Sequence, residues 1–501
     1  MSRTTKILLV IILVVLVGTG LAFWKFWPKN GNSSQTATTS KTGLFGTMLA
    51  FNINGGLTNS INEFQQDGWS KFSADANAYS QFKSSLEKAY QEYVPLVSQT
   101  SFFVDREIAG LFTWNVIEPK KGTFNWELTD LAAKYAQKAG VKFSAVIEPY
   151  AAWDQKDTQP ISGCQALDFA YRDFKAGPPK DTAEYENFLT KMVERYQKNI
   201  AAWEIGNEPD SQCAGYQNNP QSYFDLLKIS YETIKKADPS AIVLNAGAVE
   251  IDMIEAESIK TFWTKFFELG GGQYLDKFNL HYNNEKDGAK PDSSVFLADL
   301  AFYNDLMKNN GGVKPIWITE FGTYSGTPTS QNQSAPAQGQ PGSFASGSSK
   351  TNPRRTLPAG QQVQGQTSFP TQSPEFQAAW YFKNSILAFN SGTERIFPDF
   401  VGPSDSPLGA SAMFDTSGQP RLFLGTLKTI ATKLSGFAKV EKIADSQYKF
   451  TVNNKTVYAL WSGTLPNEIS GKVKVTDIKG QEQTMDATGI KLSSDQPILV
   501  E

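Results

Sequence analysis

Two short apolar runs, each closing on a carboxylate, limit the folds open to this chain more than any other feature. Ile200–Asp210 reads Ile-Ala-Ala-Trp-Glu-Ile-Gly-Asn-Glu-Pro-Asp, and Lys314–Gly322 reads Lys-Pro-Ile-Trp-Ile-Thr-Glu-Phe-Gly. Apolar residues on both parities predict strands buried on both faces, and Pro or Gly marks the turn that follows each. The strands end at Glu208 and Glu320. A strand that climbs through a core and delivers a charge at its carboxyl end is what an α/β barrel site requires.

The rest of the chain supplies the other strands. The pattern predicts strands at 47–54, 108–114, 141–147, 200–206, 242–246, 277–282, 315–319 and 395–400. Helical periodicity falls between them, near 79–97, 130–139, 183–197, 222–237, 259–269, 295–308, 375–390 and 422–434. Eight alternating pairs predict a (β/α)8 barrel over residues 44–436, with Glu208 ending the fourth strand and Glu320 the seventh. Tyr324–Ser373, dominated by Ser, Gln, Gly, Pro and Thr, interrupts the pattern as a low-complexity insertion springing from the rim of the expected pocket. Residues 437–501 lose the helical period and read as short strands at 448–452, 456–461, 472–477 and 498–500, a small β-sandwich-like domain packed on the barrel.

The N-terminus adds an address. Ile7–Trp24 is almost unbroken apolar sequence, preceded by Arg3 and Lys6 and followed by the aromatic belt Phe23, Trp24, Phe26 and Trp27. We expect residues 1–28 to form an uncleaved transmembrane anchor and 29–43 a flexible linker. The rival reading is a signal peptide cleaved near Ala22. Both put the remainder outside the cytoplasm. A net charge of −3 with no basic block argues against nucleic acid as a partner. The single histidine, His281, and the two cysteines argue against a His/Cys metal cluster, and no metal or cofactor is expected. Cys164 and Cys213 fall in the loops after strands three and four, neighbours around a barrel, and are expected to form a disulfide at the pocket rim.

Paired carboxyl groups at one pocket suit the cleavage of an acetal. One must stay protonated to serve the leaving oxygen, while the other stays ionised for the developing oxocarbenium carbon. Glu208 is the expected acid and base, with the Asn207 amide on the sugar 2-hydroxyl, and Glu320 the expected nucleophile. His281 and Tyr282, ending the sixth strand, are placed to orient Glu320, the phenol by donating to the carboxylate. Glu148, at the exit of strand three, and Trp153 after it are candidate sugar contacts. Glu118, in Val116-Ile-Glu-Pro-Lys-Lys-Gly, reads as a turn cap rather than a catalyst.

Residues 44–436 resemble clan A of the retaining glycoside hydrolases. The resemblance is carried by Trp203-Glu-Ile-Gly-Asn-Glu-Pro209, Ile316-Trp-Ile-Thr-Glu-Phe-Gly322 and Trp114-Asn-Val-Ile-Glu-Pro-Lys-Lys-Gly-Thr-Phe-Asn-Trp126. It implies Glu208 as acid/base, Asn207 as its partner at the 2-hydroxyl, and Glu320 as nucleophile. The chain departs from the clan pattern in two places. The nearest arginine before Trp114 is Arg106, out of register with the arginine of strand two in many members. Strand eight ends Ile396-Phe-Pro-Asp-Phe-Val401 without the usual tryptophan, leaving Phe397 or Phe400 to floor the sugar site. The expected function is a membrane-anchored, extracytoplasmic retaining glycoside hydrolase of β-linked sugars. The alternatives are a catalytically silent surface carbohydrate-binding protein and an envelope transglycosidase.

Overall fold

The computed structural model describes residues 44–49, 73–99, 104–107, 110–155, 177–211, 215–216, 218–251, 256–283, 293–326, 371–398, 412–415 and 419–501. The expected anchor and linker (1–43), Cys164, Cys213, Phe400 and residues 327–370 of the insertion lie outside these. Among the described residues no helix is long and apolar enough to cross a membrane.

Strand and helix alternate along the barrel. In chain order they are β1 (Gly46–Leu49), α1 (Ala76–Gln99), β2 (Val104–Glu107), α2 (Glu127–Ala139), β3 (Lys142–Ile147), α3 (Thr182–Tyr196), β4 (Ile200–Ile205) and α4 (Pro220–Ala237). There follow β5 (Val243–Asn245), α5 (Ala256–Glu268), β6 (Phe278–Asn283), α6 (Ser294–Asn309), β7 (Ile316–Gly322), α7 (Pro374–Asn390), β8 (Thr393–Pro398) and α8 (Leu422–Leu434). Local chemistry sets several boundaries. Asp181, Asn219 and Ser373 cap α3, α4 and α7 by accepting a backbone N–H three residues on, and Pro220 and Pro374 open their helices. Gly140, at φ 72°, ends α2.

β1 to β5 pair in parallel order, as do β6 to β8. Phe45 bridges to Ile396, joining β1 to β8, while Leu244 to Lys277 and Ala248 to Leu280 join β5 to β6. The sheet is thus a closed barrel. Alternation along each strand sorts the core into two parts. Phe278, Leu280, Ile316 and Ile318 join the large cluster under the helices. Ala202, Leu244, Trp317 and Phe397, from four different strands, form a second cluster that must fill the interior.

Residues 437–501 form six antiparallel strands: β9 (Phe437–Ala444), β10 (Gln447–Val452), β11 (Lys455–Leu460), β12 (Lys472–Thr476), β13 (Glu482–Asp486) and β14 (Ile498–Val500). They hydrogen-bond as one sheet in the order β13-β12-β14-β11-β10-β9, rather than as the sandwich-like pair expected from four strands. The second layer is supplied by the barrel's own helices. Phe437 meets Phe389 of α7 at 5.8 Å, Trp461 meets Phe382 at 6.4 Å, and Thr426 of α8 donates to the Ile478 carbonyl at 2.6 Å. This explains why α7 is buried at every residue from Gln377 to Phe389.

Strand two also differs from expectation. Of the run expected as the strand, residues 110–114 are not in it; β2 lies earlier, and Leu111, Phe112 and Trp114 are fully buried in a loop and the single helical turn Trp114–Ile117. Burial without a ladder produced a strand-like composition. Arg106 therefore lies on strand two after all, paired between Met48 and Ser144.

The joint between barrel and C-terminal sheet gives a direct test. Phe389 packs on Phe45 at 6.0 Å and on Phe437. Replacing a buried phenylalanine with alanine costs about 3–5 kcal/mol, so Phe389→Ala lowers the chemical-denaturation midpoint markedly. A loss below about 1 kcal/mol would show that the sheet docks elsewhere.

Candidate active site

β4 delivers Glu208 through a distorted turn. The parallel ladder ends where Gly206 N–H bonds the Ile147 carbonyl at 2.8 Å. Gly206 then takes φ 81° and Glu208 φ 43°. Positive φ in a non-glycine residue costs on the order of 1–3 kcal/mol, and a following proline restricts the residue further. The packing repays this by pointing the Glu208 side chain into the pocket, where it is buried.

Glu320 and His281 meet through a register shift. β6 and β7 slip between Leu280 and His281, setting His281 opposite Glu320. The imidazole Nδ1 lies 2.9 Å from Glu208 Oε1 and 3.5 Å from Glu320 Oε1. All three side chains are buried.

The far side of the ring is fixed by polar groups along the barrel interior. Thr319 donates its hydroxyl proton to Asn279 Oδ1 at 2.9 Å, and the same oxygen accepts the Thr319 backbone N–H at 3.3 Å. Asn279 is held in turn by Asn245, which accepts its N–H at 2.7 Å and donates to its carbonyl at 2.9 Å. The Thr319 oxygen, its proton committed, faces His281 Nε2 at 3.1 Å and accepts from it. Nε2 therefore carries a hydrogen. A single proton then joins Nδ1 to Glu208, resting on the carboxyl when the ring is neutral and on nitrogen when it is charged. Glu204, fully buried on β4, stands 3.9 Å behind Nε2. Gly247, after β5, makes room for the ring: a Cβ there would lie 1.9 Å from Nε2.

Of the other expected site residues, Asn207 lies half-buried beside Glu208 in the same turn, and Glu148 is buried just past β3. Trp153 is drawn into loop packing. Its indole donates to the Glu118 carbonyl at 2.8 Å, its ring meets Trp114 edge-on at 5.0 Å, and Lys121 lies over it. Glu118 caps its turn, accepting from Trp114 Nε1 at 2.7 Å and Gly122 N–H at 2.6 Å. Burial raises its pKa, and the two hydrogen bonds oppose this.

Two expectations are corrected. Tyr282 does not occupy the pocket side of β6, because the alternation that turns His281 inward turns Tyr282 outward. Its ring packs on Phe296 at 4.5 Å and stacks with Trp380 at 6.3 Å under the helices. Phe397 does not floor the pocket; it is fully buried in the interior cluster against Trp317, 5.8 Å away.

Sequence reasoning gave no role to Glu204, Gly247, Asn245, Asn279 or Asp210. Asp210 is fully buried, and its pKa is pushed up to about 7, chiefly by burial and further by the charge of Glu208, against a hydrogen bond from Trp263. The only available signal was parity: Glu204 shares the inward face of β4 with Ala202. The donor atoms of Glu208, His281 and Glu320 lie within 4.8 Å of one another, close enough for a small divalent ion to span. The 2.9 Å contact between His281 and Glu208 is also a hydrogen-bond length.

Residues 111–246 match the model of glycosyl hydrolase family 10. Among solved structures, the chain resembles a family 39 glycoside hydrolase from Bacteroides cellulosilyticus WH2, with TM-score 0.56 and 16% identity over 82% of this chain and 77% of that one. A family 39 β-xylosidase from Caulobacter crescentus gives TM-score 0.51 and 11% identity over 92% and 96%. A glucosidase from Croceicoccus marinus gives 0.51 and 11% over 81% and 90%. These likenesses establish the barrel with its C-terminal antiparallel sheet; the family 10 match covers the segment that builds strands three and four and the turn bearing Glu208. Over residues 111–246 the chain is thus similar to glycosyl hydrolase family 10, and its fold is the (β/α)8 barrel of the glycoside hydrolases it resembles.

Proposed function

We propose that this glycoside hydrolase cleaves β-linked sugars by double displacement, with Glu208 as acid/base and Glu320 as nucleophile. The observation that carries the reading is the spacing of the two carboxyl groups. Oxygens of Glu208 and Glu320 lie within 4.8 Å of one another. An approach that close supports the short spacing of retaining enzymes, roughly 5–5.5 Å, over the roughly 6.5–9.5 Å an inverting enzyme needs for its water.

In the first step Glu208 gives its proton to the glycosidic oxygen as the C1–O bond breaks, and a Glu320 oxygen bonds C1. In the second, the Glu208 carboxylate takes a proton from water, whose oxygen attacks C1 and releases Glu320. The first step needs Glu208 protonated and Glu320 ionised; the second starts with Glu208 ionised and Glu320 esterified to the sugar. His281, its Nε2–H held by Thr319, presents one nitrogen to both, at 2.9 Å from Glu208 and 3.5 Å from Glu320. Asn207, in the same turn as Glu208, is the proposed partner of the sugar 2-hydroxyl, and Glu148 a wall of the sugar site.

For substrate, the family 10 match and the β-xylosidase among the structural relatives support β-xylosides as the first compounds to try. The apolar segment 7–24 with its flanking cations and aromatic residues supports a single-pass anchor with the barrel outside the cytoplasm. The placing of Cys164 and Cys213 after strands three and four supports a disulfide between them in that compartment.

Glu208→Ala is expected to lower kcat/KM on alkyl β-xylosides by about 10²–10⁴-fold, the worth of a general acid. Glu320→Gly abolishes turnover, and azide restores it with an α-glycosyl azide as product; a β-azide, or ordinary turnover by this variant, would sink the nucleophile assignment. Gly247→Ala tests the support of the site. Its methyl group displaces the His281 ring, and kcat falls by about 10²-fold, the loss expected of a misplaced group, with KM little changed; wild-type kcat would refute the role given to His281. Anchoring is checked by fractionation, where full-length protein stays with membranes through high-salt and carbonate washes.

A further inference from the structure

Three metal-binding atom types converge where the double-displacement scheme places only a proton. Nδ1 of His281 lies 2.9 Å from Glu208 Oε1 and 3.5 Å from Glu320 Oε1. One ligand atom from each residue falls within 4.8 Å of the other two. Zinc holds imidazole nitrogen at about 2.0–2.1 Å and carboxylate oxygen at about 2.0–2.2 Å, which sets neighbouring ligand atoms roughly 2.9–3.6 Å apart between octahedral and tetrahedral geometry. Both separations from Nδ1 lie in that span.

The ring is also set in the form that a metal ligand needs. Its Nε2–H is held by the Thr319 oxygen at 3.1 Å, whose own proton goes to Asn279 Oδ1. The lone pair of the neutral ring is therefore on Nδ1, the nitrogen that faces the two carboxyl groups. Glu204, fully buried, stands 3.9 Å behind Nε2. An imidazole that ligates through one nitrogen and gives its other N–H to an oxygen is the usual arrangement at a metal, and the outer partner fixes the tautomer.

The donor set selects the kind of ion. One imidazole and two carboxylates, with further positions open to water or a sugar oxygen, suit zinc and its first-row neighbours. Calcium and magnesium ask for more oxygens and gain nothing from the ring. Burial adds to the attraction: none of the three side chains is more than 4% exposed. Two carboxylates so close and so dry oppose one another's ionisation, and a dication supplies the missing counter-charge.

We propose that Glu208, His281 and Glu320 form an inhibitory site for a divalent ion of the zinc class. The ion enters at the position of the shared proton, which passes to water. Glu208 then has no proton for the leaving group and Glu320 no free lone pair for C1, so the glycosidase is shut while the ion is bound. The shut-off rests on these residues being acid/base and nucleophile; the site itself rests only on where the three donors stand.

The probe is Zn²⁺ alone, dialysed to equilibrium against the full chain without substrate. Zinc is expected to bind, and an excess of Mg²⁺ or Ca²⁺ to leave it in place. His281→Gln, Glu208→Gln and Glu320→Gln each weaken binding more than about 100-fold, and Thr319→Val, which removes the outer partner of the ring, about 10–100-fold. His281 is the only histidine of the chain, so loss in that variant reports this site. Wild-type affinity in the ligand variants overturns the proposal, and if the histidine variant does not fold the two isosteric glutamine variants decide. With alkyl β-xylosides, zinc should raise KM at unchanged kcat and be reversed by a chelator; a fall in kcat at unchanged KM overturns the shut-off. The two readings fail separately. If Glu208→Ala and Glu320→Gly behave as acid and nucleophile variants while zinc ignores all three residues, only the metal site falls. If zinc needs the three residues but turnover survives their replacement, the catalytic assignment falls with the shut-off, and the site stands.

Discussion

One imidazole wedged between two buried carboxyl groups is the constraint that the rest of the barrel serves. Glu208 and Glu320 come from strands on opposite sides of β5 and β6, and what brings them to a common point is His281, 2.9 Å from one and 3.5 Å from the other. Asn245, Asn279 and Thr319 help hold the ring's orientation, passing hydrogen bonds from β5 through β6 to β7 beneath it. That ladder also closes the barrel. β5 and β6 share only isolated bridges among the described residues, and the Asn245 amide, bonding both the N–H and the carbonyl of Asn279, takes the place of a backbone ladder at that seam. Loosening the seam and misplacing the histidine are therefore the same event. A buried polar network of this kind specifies one geometry because breaking one of its bonds leaves a buried partner unsatisfied.

The turn after β4 shows where stability is spent. Glu208 holds a backbone angle that few residues tolerate and precedes a proline that narrows the choice further. Such strain persists only where surrounding contacts over-determine it. Here those contacts are the Ile147–Gly206 ladder bond on one side and, on the other, the hydrogen bonds that Asp210 accepts from the Val249 N–H and the Trp263 indole. A relaxed turn would let the carboxyl swing towards solvent, away from both His281 and the sugar.

What the sequence revealed and what it concealed follow from the same geometry. Strands β4 and β7 were legible because a barrel strand is covered on both faces, so apolar residues run together and the glutamates that end the run stand out. Residues 110–114 carried the same composition without being a strand, since burial in a loop selects the same residues. Tyr282 was given a pocket role because a phenol next to a histidine at a strand end looks like a hydrogen-bond donor. The period of two sends neighbours to opposite faces, and nothing in the two-residue motif says which faces inward. Phe397 failed for the complementary reason: its parity was inward, but an inward residue in a small barrel fills the packed interior as readily as it floors a pocket. Asp210, Gly247 and Asn279 were invisible because their roles depend on partners from other strands. A lone polar residue or glycine carries no trace of the ring it holds or avoids.

The loop after β7 raises a physical question that the composition of 327–370 sharpens. A long polar stretch rooted only a few residues past Glu320 ought to tug on it. The structure separates the two at the root. Gly326 and Gln372 exchange backbone hydrogen bonds at 2.6 and 3.1 Å, so the chain leaves and returns through one pinched base. Beneath that base, Gln377 of α7 donates to the Thr323 carbonyl at 2.8 Å, and Arg421 donates to Ser325 at 2.9 Å, fixing the exit of β7 independently of what lies beyond. Once the ends are pinned, loop closure grows only logarithmically, at about 0.6 kcal/mol for each doubling of length. The insertion can therefore vary in length and content at little cost to Glu320, which is why so large an interruption is compatible with an intact pair of glutamates a few residues away.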